Sequence, residues 1–143
     1  MSARFLLSCG EASGDLYAGA LARELRALAP DADVFGLGGP QFAAAGGRRV
    51  ADYRELSVNG LFEVIGKIPQ LAAARKLILK SAEAAPPDVF VPIDFWGFNY
   101  RLAQAMAKRT CCFGGFPRSE WTCGRKSRWW PDAGLFPANG KWW

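Results

Sequence analysis

Residues 4–16, RFLLSCGEASGDL, decide the fold because they run from a short apolar segment through a loop of small residues into a helix. Residues 4–8 predict a buried strand, since a short apolar run that stops at a turn signal is typical of a strand covered on both faces. Small and polar residues at 10–15 form the loop. Apolar residues then recur at helical spacing over 16–29, until Pro30 ends the pattern.

The same alternation of strand and helix continues along the chain. Residues 61–80 carry an amphipathic pattern that Pro69 interrupts, which predicts either two short helices or one kinked helix. Strand–helix alternation with short loops predicts an α/β fold, a parallel sheet with helices on both faces. Ligands of such sheets bind beyond the carboxyl ends of the strands, where loops 9–15 and 94–99 fall. The other predicted elements are strands at 34–37 and 88–93 and helices at 41–45 and 98–109.

Composition excludes several classes of protein. The chain has 143 residues, of which 50% are apolar, a length that suits one domain or less. It contains no histidine, which excludes histidine-based triads and Cys₂His₂ zinc sites. Its four cysteines form no C-x-x-C pair, so neither a zinc site nor a disulfide framework is predicted, and a reducing compartment fits. We expect no membrane-spanning segment and no signal peptide.

The net charge of +5 comes from one end of the chain. Residues 1–107 hold 11 Lys or Arg and 11 Asp or Glu, whereas residues 108–143 hold 7 and 2 and also five of the six tryptophans. A basic, tryptophan-rich segment is compatible with nucleic-acid binding, because cations contact phosphates and aromatic rings stack on bases. A small non-enzymatic protein that binds nucleic acid with this segment is therefore the alternative hypothesis, ranked below the enzyme described next.

The glycines at 36–39, GLGG, resemble part of a dinucleotide-binding fingerprint. That fingerprint needs a glycine where this chain has Gln41, and it follows the first strand of a fold rather than the second. The sequence therefore predicts a tight turn here.

The loop at 10–15 is a stronger candidate for ligand binding. Its glycines allow close backbone approach, and its amides lie at a helix N-terminus. Glu11 and Asp15 would repel a phosphate but can accept hydrogen bonds from sugar hydroxyls. The alternative is a capping loop, in which Ser13 or Asp15 bonds the first amides of the helix.

Asp94 lies at the end of the third apolar strand, beside the aromatic residues Phe95 and Trp96. A carboxylate in partly apolar surroundings has a raised pKa, which suits a general base that accepts a proton from a hydroxyl nucleophile. The alternative is that Asp94 caps the helix predicted from Phe98, because aspartates are common at such positions.

The helical region 61–80 could be core, a partner surface or a membrane-facing patch. Core is the default for an amphipathic helix. Lys67, Arg75, Lys76 and Lys80 also make contact with anionic lipids possible.

Five segments in order resemble the lipid-A-disaccharide synthase family over about residues 4–109. They are GEASGD at 10–15, FGLGGP at 35–40, LSVNGLFEV at 56–64, PDVFVPID at 87–94 and FN at 98–99. Five ordered segments are far more specific than any one of them alone. The resemblance implies the Rossmann-like N-terminal domain of a GT-B-type glycosyltransferase, truncated in this chain.

The family's reaction implies the substrates. It joins UDP-2,3-diacylglucosamine to 2,3-diacylglucosamine 1-phosphate, releases UDP and forms the disaccharide of lipid A. No metal or cofactor is implied, because the UDP-sugar is itself the donor. The implied partners are the two acylated sugars and a membrane surface, with no nucleic acid. The implied location is cytoplasmic, peripheral on the inner face of the bacterial inner membrane.

The resemblance also assigns residues. Asp94 corresponds to the family's essential aspartate, which helps to activate the acceptor hydroxyl. Asn59, Phe95, Trp96 and Gly97 depart from the family's usual residues. The implied substrate-binding residues are Glu11, Ser13, Gly14, Asp15 and Asn99. The implied patch for membrane or acyl chains is Leu61, Phe62, Val64, Ile65, Ile68 and Leu71.

The resemblance defines two regions. Residues 1–109 are expected to form part of an acceptor-side domain. Residues 110–143 form an anomalous basic tail, in which Cys111 and Cys112 make a poor strand. Because the composition changes abruptly, we expect a disturbed reading frame rather than a divergent tail, and we expect the fragment alone to be inactive.

Overall fold

The computed structural model describes residues 2–56, 61–106 and 111–112. Five strands and four α-helices lie in these ranges, with a short 3₁₀ helix at Tyr53–Glu55. The strands are β1 Arg4–Ser8, β2 Asp33–Gly38, β3 Arg48–Asp52, β4 Val89–Pro92 and β5 Cys111–Cys112. The helices are α1 Ala12–Leu28, α2 Pro40–Ala44, α3 Leu61–Ala84 and α4 Trp96–Met106.

The strands form one parallel sheet in the order β3-β2-β1-β4-β5, which confirms the predicted α/β fold. Helix α1 packs on α2, and α3 packs on α4. The connections from β1 to β3 run in one direction across the sheet, and those from β3 to β5 return in the other. Right-handed crossovers therefore place the two helix pairs on opposite faces.

Burial on the central strand shows that both faces are covered. Leu6 and Leu7 are neighbours on β1, so their side chains point to opposite faces of the sheet, and both are fully buried. The same core holds large side chains from β2, α2, α3, β4 and α4. They are Phe35, Leu37, Phe42, Ile78, Phe90 and Leu102.

Several elements differ from the sequence predictions. Helix α1 begins at Ala12, and neither Ser13 nor Asp15 caps it, so that predicted capping is wrong. Helix α3 continues through Pro69 as one helix, which agrees with the second of the two predicted alternatives and rules out two separate helices. The pair Cys111–Cys112, expected to make a poor strand, extends the sheet beside β4.

The edge strand β3 was not predicted because Arg48 and Arg49 break its apolar pattern. Arg48 packs its guanidinium over the ring of Phe35, 4.8 Å from the centroid, and pairs with Asp33 at 3.0 Å. The guanidinium of an arginine can thus cover the rim of a core while the side chain stays half-exposed to water.

The glycines at 36–39 do not form the predicted tight turn, because Gly36 and Gly38 lie within β2. Gly36 has a φ of 147°, and an added Cβ would collide with the carbonyl oxygen of Leu7 on the neighbouring strand. The pairing of β2 with β3 shifts register directly after Gly36. Close approach of two strands, together with a bulge, explains the glycine at this position.

Within the described ranges, none of the helices has the length and apolar character needed to cross a bilayer.

Candidate active site

The candidate site lies where the order of the sheet reverses. From β1 the chain proceeds to β2 and β3 on one side, and it later returns to β4 and β5 on the other. The loops that follow β1 and β4 therefore lie on the two sides of this switch point at the carboxyl edge, where ligands of such sheets bind, and we term this junction the cleft. These loops are the two that the sequence singled out.

Asp94 and the loop after β1 are in direct contact across this cleft. The backbone N–H of Gly10 donates to Asp94 Oδ1 at 2.6 Å, although the two residues are 84 positions apart. The sequence predicted that they share the carboxyl edge, and the structure confirms it. The carboxylate accepts this bond from the β1 loop, and α4 begins instead with the carbonyl of Phe95 accepting from Phe98 and Asn99. Among the described hydrogen bonds, Asp94 therefore makes none that would cap α4.

The carboxyl group of Asp94 has a strongly shifted pKa. Partial burial raises this pKa from 3.8 to about 6, the Gly10 N–H opposes the rise, and the negative charge of Glu11 adds to it. The side chain nevertheless remains exposed to solvent on its open side. A carboxylate of this kind is about 90% ionised at pH 7 and is a stronger base than an ordinary surface aspartate.

Three residues at the junction of the β1 loop and α1 belong to the surroundings of Asp94, directly or through Glu11. Glu11 and Ser13 are exposed, and the hydroxyl of Ser13 donates to the carboxylate of Glu11. Gly14 is buried directly against Asp94, so that an added Cβ would collide with Asp94 Oδ2. The cleft thus offers two accessible polar side chains and requires glycine at position 14.

Asp15 takes a position that its sequence context did not reveal. Its side chain is only 1% exposed. Its Oδ1 accepts from the amides of Gly39 at 2.7 Å and Phe42 at 3.1 Å, and its Oδ2 accepts from Gln41 at 2.9 Å. Asp15 therefore supplies the N-terminal cap that α2 lacks, since the residue before α2 is Gly39. Its substrate contact stays a prediction, and its carboxylate faces the interior.

Asn99 is also fully buried. Its side-chain nitrogen donates to the backbone carbonyls of Asp94 at 2.7 Å and Ser8 at 3.1 Å. Ser8 is the last residue of β1, and Asp94 follows β4 by two residues. Asn99 therefore links the two sides of the cleft through hydrogen bonds.

Cys9 also lies at this edge, but its thiol is unsuited to be a nucleophile. The thiol is fully buried and donates to the carbonyl of Leu37. Burial raises its pKa to about 12, with smaller contributions from the charges of Asp15 and Asp94. Among the described residues no group of three or more Cys, Asp or Glu side chains is arranged to hold a metal ion.

The predicted acyl-chain patch lies on α3 and is described only in part. Ile68 is 56% exposed, and Leu71 is half-buried against the core. The side chains of the other four lie outside the described ones, namely those of Leu61, Phe62, Val64 and Ile65. A cavity of about 350 Å³ between β3 and α3 includes none of the predicted site residues in its lining.

Comparisons with known proteins cover the same part of the chain. The sequence profile of the lipid-A-disaccharide synthetase family matches residues 5–112, which extends the resemblance through β5. The lipid-A-disaccharide synthase of Koribacter versatilis is 41% identical over 107 residues, 74% of this chain and 28% of that protein. Those of Myxococcus xanthus and Vibrio cholerae are 42% and 44% identical over 103 and 97 residues. The chain thus spans about a quarter of the length of these relatives. Of the basic segment on which the nucleic-acid hypothesis depends, residues 108–143, all but 111–112 lie outside the described residues.

Proposed function

Since the chain belongs to the lipid-A-disaccharide synthetase family, we propose that it supplies the acceptor-side domain of a glycosyltransferase of lipid A biosynthesis. The proposed donor is UDP-2,3-diacylglucosamine, and the proposed acceptor is 2,3-diacylglucosamine 1-phosphate. The acceptor hydroxyl attacks the anomeric carbon of the donor, the bond from that carbon to the UDP oxygen breaks, and UDP leaves.

The placement of Asp94 is the observation that carries the proposal. Its carboxylate lies at the cleft, open to solvent on one side, with its pKa raised to about 6 by partial burial. As the acceptor oxygen attacks, Asp94 takes the proton from that hydroxyl. The Gly10 N–H donates to Oδ1 at 2.6 Å and Oδ2 packs against Gly14, so the lone pairs on the solvent-exposed side of the carboxylate are the ones that take the proton.

The β1 loop supports binding of a sugar. Glu11 and Ser13 are exposed beside Asp94 and can accept or donate hydrogen bonds to hydroxyl groups of the acceptor. Among the described residues, the charged group that acts on Asp94 is the carboxylate of Glu11, and two carboxylates repel a pyrophosphate. We therefore place the diphosphate of UDP on groups outside the described residues.

Contact with the cytoplasmic face of the inner membrane is the proposed means of access to acylated substrates. Ile68 is an exposed apolar side chain on α3, and the same helix carries Lys76 and Lys80. Apolar insertion combined with cationic attraction is how a peripheral protein binds an anionic bilayer. We expect Ile68→Glu to weaken co-sedimentation with phosphatidylglycerol vesicles, whereas Leu28→Glu on α1, also at an exposed leucine, should not.

The substitution Asp94→Asn tests the proposed chemistry in the complete enzyme that contains this domain. Asparagine keeps the volume and can accept from Gly10, but it cannot take up a proton. We expect kcat to fall by about 10²–10⁴-fold with an unchanged KM for the acceptor. Asp31→Asn is the matched control at an exposed aspartate. A kcat near that of the wild type, with a melting temperature no lower than that of the wild type, would reject Asp94 as the base.

A further inference from the structure

The turn that carries Asp94 has an unusual backbone. Asp94 has a φ of 55° and Phe95 a φ of 51°, so two successive residues other than glycine adopt the left-handed conformation. Such a conformation is unfavourable for residues other than glycine and persists only where the surroundings enforce it. The groups that enforce it here also determine where the Asp94 carboxylate lies.

Two contacts hold the turn. The ring of Phe95 stacks on Phe98 with centroids 5.2 Å apart, and it packs so closely on Gly10 that an added Cβ there would collide with it. The side-chain amide of Asn99 donates to the carbonyl of Asp94 at 2.7 Å and to that of Ser8 at 3.1 Å. The first contact is apolar, and the second fixes the direction of the peptide that follows Asp94.

We infer that Asn99 is a positioning residue: its amide holds the left-handed turn and thereby keeps the Asp94 carboxylate on the Gly10 N–H, facing the cleft. This role differs from the substrate contact expected from the sequence, because the Asn99 side chain is fully buried. Its importance for catalysis rests on the proposed function of Asp94, whereas its effect on the geometry does not.

The chemistry of Asn99 indicates that its donor group is what matters. Its nitrogen uses both hydrogens on backbone carbonyls, whereas its Oδ1 is buried without a hydrogen-bond partner in the described part of the chain. A buried acceptor without a hydrogen bond costs free energy, and that cost is tolerated here because the two donor hydrogen bonds of the same side chain offset it. Aspartate at this position would instead point acceptors at both carbonyls.

The inference can be tested by NMR on the 143-residue chain without any assay of activity. The charged or titratable groups that face Asp94 are Glu11 in the β1 loop and the Cys9 thiol at the end of β1. In the wild type, we expect the Gly10 amide proton and the Asn99 side-chain amide protons to shift together as Asp94 titrates. If the Asn99 protons do not follow that titration, the inference is wrong, and this arm needs no variant.

The variant Asn99→Ala provides the second arm. We expect the Gly10 amide to lose most of its response to the Asp94 titration, while Gln104→Ala, at an exposed amide on the same helix, keeps the full response. An unchanged Gly10 response in folded Asn99→Ala would overturn the inference.

Kinetics of the complete enzyme separate this inference from the proposed function. Asn99→Ala is expected to lower kcat about 10²-fold without a change in KM, the typical cost of a misplaced catalytic group. In an Asp94→Asn background the same change should cost nothing further, because Asn99 acts through Asp94. If Asp94→Asn retains kcat, the proposed function fails, whereas an added loss in the double variant refutes the positioning role alone.

Discussion

Replacing Asp15 by alanine is expected to destabilise the domain strongly, because its buried carboxylate holds the start of α2. Its carboxylate accepts three backbone amides at the start of α2, from Gly39, Gln41 and Phe42. The bonds to Gly39 and Phe42 are buried, and the bond to Gln41 is partly buried. Alanine would leave all three donors without their acceptor, and water could reach the amide of Gln41 most easily.

The expected magnitude follows from those bonds. A hydrogen bond to a charged group contributes about 1.5–3 kcal/mol. The net loss is smaller than the sum over three such bonds, because alanine also removes the cost of burying a carboxylate. We therefore expect Asp15→Ala to lower the free energy of unfolding by about 3–5 kcal/mol, a large part of the roughly 5–15 kcal/mol of a typical domain. Asp15→Asn keeps an oxygen for Gly39 and Phe42 but turns an NH₂ toward Gln41, so about 1–3 kcal/mol is expected.

Urea denaturation followed by circular dichroism measures these differences. Glu24→Ala is the matched control, since Glu24 is an exposed carboxylate on the same helix, and its effect should stay within about 0.5 kcal/mol. The order alanine, asparagine, control from most to least destabilised is the expected result. If Asp15→Ala were as stable as the wild type but bound acceptor sugar poorly, Asp15 would be a substrate contact, as the sequence suggested, and the structural argument would be refuted.

Three other outcomes are expected. Gly36→Ala should prevent soluble expression because its Cβ would collide with β1, whereas Gly66→Ala, with open space around it on α3, should raise stability by about 0.5–1 kcal/mol. The pKa of Asp94 is higher in the folded than in the unfolded protein, so ionisation of Asp94 destabilises the fold as the pH rises from about 4 to 6. Asparagine cannot ionise, so Asp94→Asn should raise the melting temperature at pH 7. Near pH 4 the aspartate is protonated as well, and the difference in melting temperature should disappear. An equal difference at both pH values would contradict this. The 143-residue chain alone should not turn over UDP-2,3-diacylglucosamine, since the nucleotide needs groups beyond the cleft; product detected by mass spectrometry would disprove it.

The central strands and the placement of Asp94 beside the loop at 10–15 could be predicted from sequence because they depend on local patterns. Apolar runs predicted β1, β2 and β4. The carboxyl ends of parallel strands lie at the same edge of a sheet, which predicted that Asp94 lies near the loop at 10–15. The edge strand β3 was missed because its outer position tolerates arginines. An edge strand needs one apolar face at most, so its pattern is weak.

The roles of Asp15 and Asn99 could not be predicted because both act across long sequence separations. Asp15 caps a helix that begins 25 residues later, and nothing in the sequence of its own helix indicates a contact with the amide of Gly39. Asn99 holds a backbone conformation that a non-glycine pair rarely adopts, and the residues Asp94 and Phe95 carry no sign of it. Local propensity describes neighbours in the chain, whereas these contacts arise only after the sheet has formed.

The position of β1 at the centre of the sheet has a consequence for synthesis. One edge of β1 pairs with β2, whose residues leave the ribosome soon after those of β1. The other edge pairs with β4, which is synthesised much later. The hydrogen bond from the Arg4 amide to Asp88, for example, spans 84 residues. At about 5–20 residues per second, translation leaves that edge of β1 without a partner for about 4–17 s. During this interval the nascent chain presents an apolar, unpaired strand to other chains. We therefore expect slower translation to lower the soluble yield, and a chaperone that binds extended apolar segments to bind β1 until residue 89 emerges.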